Sequence, residues 1–521
     1  MKTHTLLLLT CIYLLFAGCA SEIPATDPIF DNDTPLKKRI QLALDKSYLN
    51  ELGIDDENAE LITEFYKSRG YKPLWANDST LTGLGQKMDT ILSKPNCIGI
   101  PNNRWKKSDK KQKEIIAKEL LLTAKLGFAA NDLHNGLLDT AKQAMKPLVW
   151  SRLNNWDKQL DTVSNWGYWF AQMGDFRNDY KQLAIGLFDF AYNRSFSDQN
   201  FDLPTMKEDS TRCYSLAKES LIDKGYLEKD AVDTVFLNAL ETFQVDNGLK
   251  PDAVIGNYTR KALEESEQTK VDRVILSMER WRWREKYADR YIWINIPEYM
   301  LRLYYNDSLL SQHRVVVGKI DTKTPQLESK ITSIISYPYW TVPYSITSKE
   351  ILPALKQNPG YLAKNHYKLF KGDVEIDPYS VNWKKIPKNT FPYKVRQEPG
   401  TWNSLGIIKF EFSNPFGVYV HDTPSKGLFG TDVRSYSHGC IRCNLPDSLA
   451  RFILRRDNQR ITTDSLDSMI YKEQHRSIRL KKSVQIKVDY ITVAATPDGK
   501  LIFHPDIYGR DAAYLKWFSK S

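Results

Sequence analysis

The spacing of apolar residues changes part-way along this chain, and that change limits what it can fold into. From residue 36 to about 194, apolar side chains recur at helical intervals, as at Leu61, Ile62, Phe65 and Tyr66, or Ile115, Leu120, Leu122 and Leu126. Between 197 and 267 a compact helical unit is predicted from Leu216 and Leu221, then Phe236, Leu240 and Phe243, with turn signals at Asn247-Gly248 and Pro251-Asp252. From about residue 268 the pattern becomes short β-branched and aromatic runs, at 291–297, 300–304, 314–318 and 334–342. Similar runs return at 407–412, 418–421, 484–493 and 501–503, which predicts an antiparallel, mostly β domain. Residues 344–395, rich in Pro, Lys, Tyr and Asn, interrupt that domain with helix and loop. They are too many for a plain connection and form a subdomain. The expectation is a multidomain α+β protein, and 521 residues allow two to four domains.

The first residues read as a secretory signal rather than a membrane span: Lys2, a mostly apolar run from Leu6 to Phe16, then Ala17-Gly18-Cys19. Leu15-Phe16-Ala17-Gly18-Cys19 resembles a bacterial lipobox, although Phe16 stands where leucine is commoner. The resemblance implies a signal over 1–18 and a lipid on Cys19. Residues 19–35, with Pro24, Pro28 and Pro35, form a tether. The net charge of +10 is spread along the chain; it suits an anionic polymer or a membrane surface, and no compact basic stripe argues for nucleic acid. Of six cysteines, Cys97 and Cys213 are isolated, which argues against a disulfide framework and for buried free thiols.

The chemistry concentrates at Ser437-His438-Gly439-Cys440, with His421 nineteen residues before the cysteine. A thiol needs a base to act as a nucleophile at neutral pH, and a histidine is the usual one. Glycine before the nucleophile lets the backbone turn sharply and bare its amides toward an oxyanion. Taken alone, these residues are also compatible with a protease, a zinc site or a polar loop beside a buried cysteine. Cys443 makes a Cys-x-x-Cys of residues 440–443, which raises a redox protein or, with His421 and His438, a zinc centre. The region lacks the βαβ pattern of thioredoxin-type motifs, so Cys443 reads as a small buried residue. The sharper alternative is a Cys440–Cys443 disulfide that switches the protein off.

Neighbouring stretches extend the pattern: residues 396–400 (Arg-Gln-Glu-Pro-Gly), Asn403-Ser404-Leu405-Gly406, His421-Asp422-Thr423-Pro424, Leu428-Phe429, and residues 506–511 (Asp-Ile-Tyr-Gly-Arg-Asp). With His421 and Ser437-His438-Gly439-Cys440-Ile441-Arg442, they resemble the signature of the YkuD-type L,D-transpeptidase catalytic domain. Phe65-Tyr66 through Tyr71-Lys72-Pro73-Leu74-Trp75 resembles the helical scaffold of the large YcbB-like subgroup. The order of residues from Phe243 to Leu263 resembles the three-helix peptidoglycan-binding module, with Asp252-Ala253 where Asp-Gly is usual.

The resemblance implies a scaffold over 36–196, a peptidoglycan-binding-like module over 197–267, and a catalytic domain over 268–521 whose insertion at 344–395 acts as a lid. It implies Cys440 as nucleophile, its thiolate favoured by His421 as base. Amides at Gly439 and Cys440 are candidates for the oxyanion hole, and Ser437 and His438 order the loop. Arg442 suits a carboxylate or a backbone carbonyl; Tyr419 lines the substrate groove or packs in the strand. No metal or cofactor is implied. The implied partners are peptidoglycan stem peptides as donor and acceptor, a membrane through the N-terminal lipid, and other wall-synthesis enzymes. The implied place is the cell envelope or periplasm. Water or a protein amine as acceptor gives an L,D-carboxypeptidase or a protein-anchoring enzyme, and a wall-binding lipoprotein without catalysis is a further alternative.

Overall fold

The computed structural model describes residues 29–31, 33–104, 114–138, 160–175, 177–194, 196–197, 199–282, 284, 287–387, 390–457 and 461–520. The signal, Cys19 and most of the tether lie outside the described residues.

Helices Leu36–Ala43, Asp56–Ser68 and Ile115–Asn135 bury Leu36, Ile40, Ile62, Tyr66 and Leu120 against one another. Their hub is Glu119, a fully buried carboxylate that accepts the Tyr66 hydroxyl at 2.8 Å and the Leu74 and Trp75 N–H groups at 2.6 and 2.9 Å. Burial raises its pKa, which those three donors oppose. The two buried ends of the Tyr66–Trp75 stretch are thus held by one acid, which supplies the partners for the Leu74 and Trp75 N–H groups.

Helices Ser210–Asp223, Asp233–Asp246 and Asn257–Glu264 enclose a separate core of Cys213, Leu221, Leu240, Phe243 and Leu263. The buried Gln244 side chain fastens the loop between the last two: its Oε1 accepts the N–H groups of Asp252 and Ala253 at 3.0 and 2.9 Å. Ala253 is held in the left-handed region at φ +53°.

The expected onset of β structure at residue 268 is not observed. Residues Glu267–Arg282 form a helix whose Val271, Val274, Ile275, Met278 and Trp281 join the core of the helical domain, and the first strand starts at Arg290. Apolar residues three and four apart at 271, 274, 275 and 278 carry the helical period, which the β pattern further on overshadowed.

Strands β1 (Arg290–Asn295), β2 (Met300–Tyr305), β3 (Ser308–Gly318) and β4 (Leu327–Ser336) open the β-rich region. An inserted four-stranded antiparallel sheet follows, of β5 (Trp340–Thr341), β6 (Tyr367–Lys371), β7 (Val374–Ile376) and β8 (Lys394–Gln397) in the order β5-β8-β6-β7. The insertion expected as helix and loop therefore carries a sheet and a core of its own, centred on Leu352, Leu355, Leu369, Trp383 and Val395.

The chain continues through β9 (Ile408–Phe412), β10 (Val420–His421), β11 (Ser435–Ser437), β12 (Ile441–Cys443) and β13 (Arg476–Asp489). The order β3-β12-β10-β9-β4-β13-β1-β2, with β2 also paired to β3, closes a barrel. It is mixed rather than antiparallel: β1 runs parallel to β13, β10 to β12 and β11 to β3. Alternate residues along the strands fill the interior, among them Ile292, Ile294, Val315, Phe410, Val420 and Ile486. Tyr291 and Trp293 point outward into the helical domain's core, so β1 is buried on both faces. A hairpin of β14 (Val493–Ala495) and β15 (Leu501–Phe503) packs on that same core.

Candidate active site

Strands β10 and β12 lie side by side, with Val420 opposite Ile441 and His421 opposite Arg442. Paired residues share a face and successive residues alternate. Val420, Ile441 and Cys443 therefore enter the barrel interior, where each is fully buried. Tyr419, His421, Cys440 and Arg442 are left together on the outer face. Lys409 of β9 pairs with His421 from the other side and stands on that face too.

The loop carrying Cys440 is fixed by its own side chains. Gly439 has φ +112°, a left-handed conformation that favours glycine, while its surroundings leave space for a Cβ. The Ser437 hydroxyl donates to the Cys440 carbonyl at 2.5 Å and accepts the Gly439 N–H at 3.1 Å. The Ser437 carbonyl accepts the Lys319 N–H at 2.9 Å and the Thr322 hydroxyl at 3.0 Å. Thr324 donates to the Gly439 carbonyl at 2.9 Å, and Tyr508 accepts the Thr324 N–H at 3.1 Å while donating to the Gly318 carbonyl at 2.7 Å. With its N–H held by Ser437, Gly439 drops out of the two amides expected at an oxyanion hole, and the Cys440 N–H is left.

Tyr419 is the residue whose main chain and hydroxyl favour the charged form of the Cys440 thiol. Burial pushes the thiol pKa up, and Tyr419, Lys409 and Arg442 only oppose that shift. Tyr419 has its own hydroxyl pKa pushed up chiefly by burial, with Trp340 of the inserted sheet acting the other way. Its ring meets the His421 imidazole edge-on at 5.7 Å, and the Lys409 ammonium lies 4.4 Å from its centroid.

His421 is 4% exposed, and its Nδ1 is bonded to the Asp422 carbonyl. A carbonyl can only accept, so Nδ1 carries the proton and Nε2 its lone pair. Burial, then the Arg442 guanidinium, push the imidazole pKa down to about 3, with Lys409 adding to them and the Asp422 and Leu405 carbonyls opposing. Burial disfavours the charged form of both groups, raising the thiol pKa and lowering that of the imidazole. The Asp422 carboxylate accepts the Ile407 N–H at 3.0 Å and pairs with Lys426, which sets the carbonyl that holds the histidine.

His438 stands apart from these groups. It points outward, and its Nε2 meets the Glu350 carboxylate of the insertion at 2.6 Å. Arg442 is half-buried beside His421, and its Nε is enclosed without a protein partner among the described residues. Sequence reasoning gave no role to Lys409, Asp422, Trp340 or Glu350. Lys409 was open to discovery through the alternation Ile408-Lys409-Phe410-Glu411-Phe412; Trp340 and Glu350 depend on how the insertion folds back. Among the described residues no cluster of His, Cys, Asp or Glu is arranged to hold a metal ion.

Residues 289–461 match the L,D-transpeptidase catalytic domain, YkuD, and residues 60–168 match the family described as Scaffold domain. A Haemophilus influenzae protein named "Putative L,D-transpeptidase" is 33% identical over 222 residues, which are 42% of this chain and 44% of that protein. The chain thus spans less than half the length of that relative. A solved L,D-transpeptidase from Mycobacterium smegmatis, 14% identical, covers 39% of this chain and 59% of its own; its TM-score of 0.19 supports no argument. Cys440 and His421 lie inside the segment similar to the YkuD L,D-transpeptidase catalytic domain, and the segment similar to the Scaffold domain lies ahead of it.

Proposed function

We propose that this chain cross-links peptidoglycan between diamino-acid residues, using a tetrapeptide stem as acyl donor and Cys440 as nucleophile. The observation that carries the proposal is the tautomer of His421: an imidazole held at Nδ1 by a carbonyl keeps its Nε2 lone pair free to take a proton, on the strand beside the one that Cys440 precedes. Sγ attacks the carbonyl carbon of the L-centre, and the thiol proton passes to Nε2. The oxyanion is stabilised by the Cys440 N–H. When the C–N bond breaks, the imidazolium protonates the departing D-amino acid and a thioester remains. The amine of a second stem then attacks, His421 takes its proton, and C–S cleavage returns the thiol. Arg442 and Lys409 favour the transient thiolate and an incoming carboxylate, and Tyr419 favours the thiolate as well. We further propose that Cys19 carries a lipid and holds the protein at an envelope membrane, where the substrate lies.

Incubation with tetrapeptide-bearing muropeptides, read by mass, tests this. A cross-linked dimer lacking one D-amino acid is expected, and Cys440→Ala should abolish it. Tripeptide monomer alone would assign hydrolysis instead, and turnover by Cys440→Ala would overturn the nucleophile. A carbapenem should leave a covalent adduct on Cys440.

A further inference from the structure

A cavity of about 430 Å³ opens where three parts of the chain meet: helix Asn178–Ala191, the turn that follows helix Ser210–Asp223, and the turn joining β14 to β15. Its size is that of a small-molecule site, about 300–1,000 Å³. Helix Glu267–Arg282 presents Lys270 to it. Lys270 is 2% exposed, and among the described residues its ammonium has no hydrogen bond or ion pair. It rests against two rings, 5.0 Å from the Phe243 centroid and 5.2 Å from that of Phe503. Nζ is not sealed in the core: it keeps accessible surface, and Lys270 lines this cavity. Ring faces offset part of the cost of burying an ammonium, but its three N–H groups still lack an acceptor.

The carboxylates around it are committed elsewhere. Glu265 accepts two bonds from Arg273, Glu267 pairs with Arg194 at 3.4 Å, and Asp246 is held by Lys500 at 2.6 Å and the Tyr226 hydroxyl at 3.0 Å. Asp189 and Asp498 are exposed, where water and salt screen them. The buried Lys224 also lines the cavity; it donates to the Ser220 hydroxyl and the Leu263 carbonyl and has no acid partner among the described residues. Two buried ammonium groups therefore border one cavity with no ion pair of their own. Burial pushes the Lys270 pKa down to about 8, with Glu265 and Glu267 opposing and Lys224 adding to the fall.

An anion supplies what is missing, and the lining limits its shape. The other basic groups, Lys500 and Arg194, are already paired, and much of the remaining wall is the carbon of Phe190, Leu501 and Phe503. A carboxylate with a short apolar body suits that lining, whereas a phosphate would set further oxygens against Glu267 and Asp246.

We propose that this cavity is a binding site for a small organic carboxylate, ion-paired to Lys270 and packed through its carbon atoms on Phe190, Leu501 and Phe503. None of the lining residues belongs to the Cys440 site, and the ligand touches all three surrounding segments. Binding therefore stabilises the way the helical domain, the three-helix module and the β14–β15 hairpin are held together.

Brief reductive methylation of the full chain with formaldehyde and cyanoborohydride, mapped by peptide mass, reads Lys270 directly. At about pH 7.5 Lys270 should be methylated ahead of the surface lysines, because more of its amine is neutral. Sodium butyrate should slow Lys270 alone, by about tenfold at about ten times its Kd, and sodium chloride at the same ionic strength should not. Butyrate should also raise the melting temperature of the parent and leave that of Lys270→Met unchanged. Absence of label on Lys270, equal slowing by butyrate and chloride, stronger protection by phosphate, or an equal rise in melting temperature in both proteins would overturn the proposal. If Lys270→Met does not fold, the methylation series decides, since it uses the parent alone.

Discussion

Cys440 and Cys443 stand on opposite sides of the barrel wall. Strand β12 turns Cys440 to the outer face beside Tyr419 and sends Cys443 inward, where it is fully buried and touches the Asn444 carbonyl at 3.3 Å. A disulfide needs Cβ atoms within about 4.5 Å on converging vectors, which residues facing apart across a strand do not have. The Cys-x-x-Cys spacing is thus a by-product of filling a core position with a small apolar side chain, and the oxidative switch considered from sequence cannot form in this fold. Native alkylation followed by mass analysis should label Cys440 and leave Cys443 untouched until denaturant is added. Reductant should not change activity, and Cys443→Val should keep turnover within a few-fold of the parent. A Cys440–Cys443 peptide pair in an oxidised, folded sample would contradict this geometry.

Reactivity of Cys440 should climb with pH. Burial raises the thiol pKa, so less thiolate is present at pH 7 than in a free cysteine, whose pKa is about 8.5. The rate of alkylation by iodoacetamide should increase close to tenfold per pH unit from 6 to 8, with no plateau in that range. A preformed thiolate–imidazolium pair gives a plateau reaching down toward pH 5 instead. Arg442→Ala removes a cation that favours the thiolate and disfavours the imidazolium. It should shift the profile further to alkaline pH and raise the His421 pKa, which NMR of the imidazole can follow.

The site was legible in sequence where chemistry and spacing coincide. Cys440, His421, Ser437 and Gly439 announce themselves because a thiol, a base and a loop-forming glycine are scarce residues in a short interval. Two roles depended on distances that spacing does not carry. His438 was expected to order the loop, yet it meets Glu350, 88 residues away in the chain, a partner that spacing could not name. Gly439 was an obvious oxyanion amide until its N–H proved to be bonded to Ser437. In the fold, helical periods were readable in both N-terminal units, but the helix Glu267–Arg282 was hidden by the neighbouring β pattern. The parallel pairings of β10 with β12 and β1 with β13 join strands distant in sequence, so local alternation could not distinguish them from hairpins.

Ala253 carries a strain that glycine would relieve. Its φ of +53° places Cβ against the following carbonyl, at a cost of about 1–2 kcal/mol, where the resembling modules use glycine. The two bonds from Gln244 to the Asp252 and Ala253 N–H groups hold the turn in place despite that cost. Ala253→Gly should therefore stabilise the module by about 1 kcal/mol after the extra chain entropy of glycine is deducted. The transition of the module in thermal or denaturant unfolding should move up, with catalytic rates unchanged. A downward shift would mean that the Ala253 methyl packs well enough to outweigh the backbone strain.

Gly406 controls His421 from a distance of two contacts. Its φ is +58°, and a Cβ there would lie 2.3 Å from the Asp422 carboxylate and 2.4 Å from the Asp422 Cβ. Asp422 has little room to withdraw, because its N–H donates to the Ile408 carbonyl at 2.9 Å and its carboxylate accepts from Ile407. Any retreat of Asp422 moves the carbonyl that holds Nδ1, and a displacement of about 1 Å in a catalytic base costs on the order of a hundredfold in rate. Gly406→Ala should lose about that much activity on muropeptides and about 2–4 kcal/mol of stability from left-handed strain and overpacking together. Lys426→Ala separates the causes: it deletes only the outer partner of the carboxylate, leaves the carbonyl anchored, and should stay within a few-fold of the parent rate. Equal loss in both variants would place the control in the carboxylate's charge, whereas loss confined to Gly406→Ala places it in the main chain that orients the imidazole.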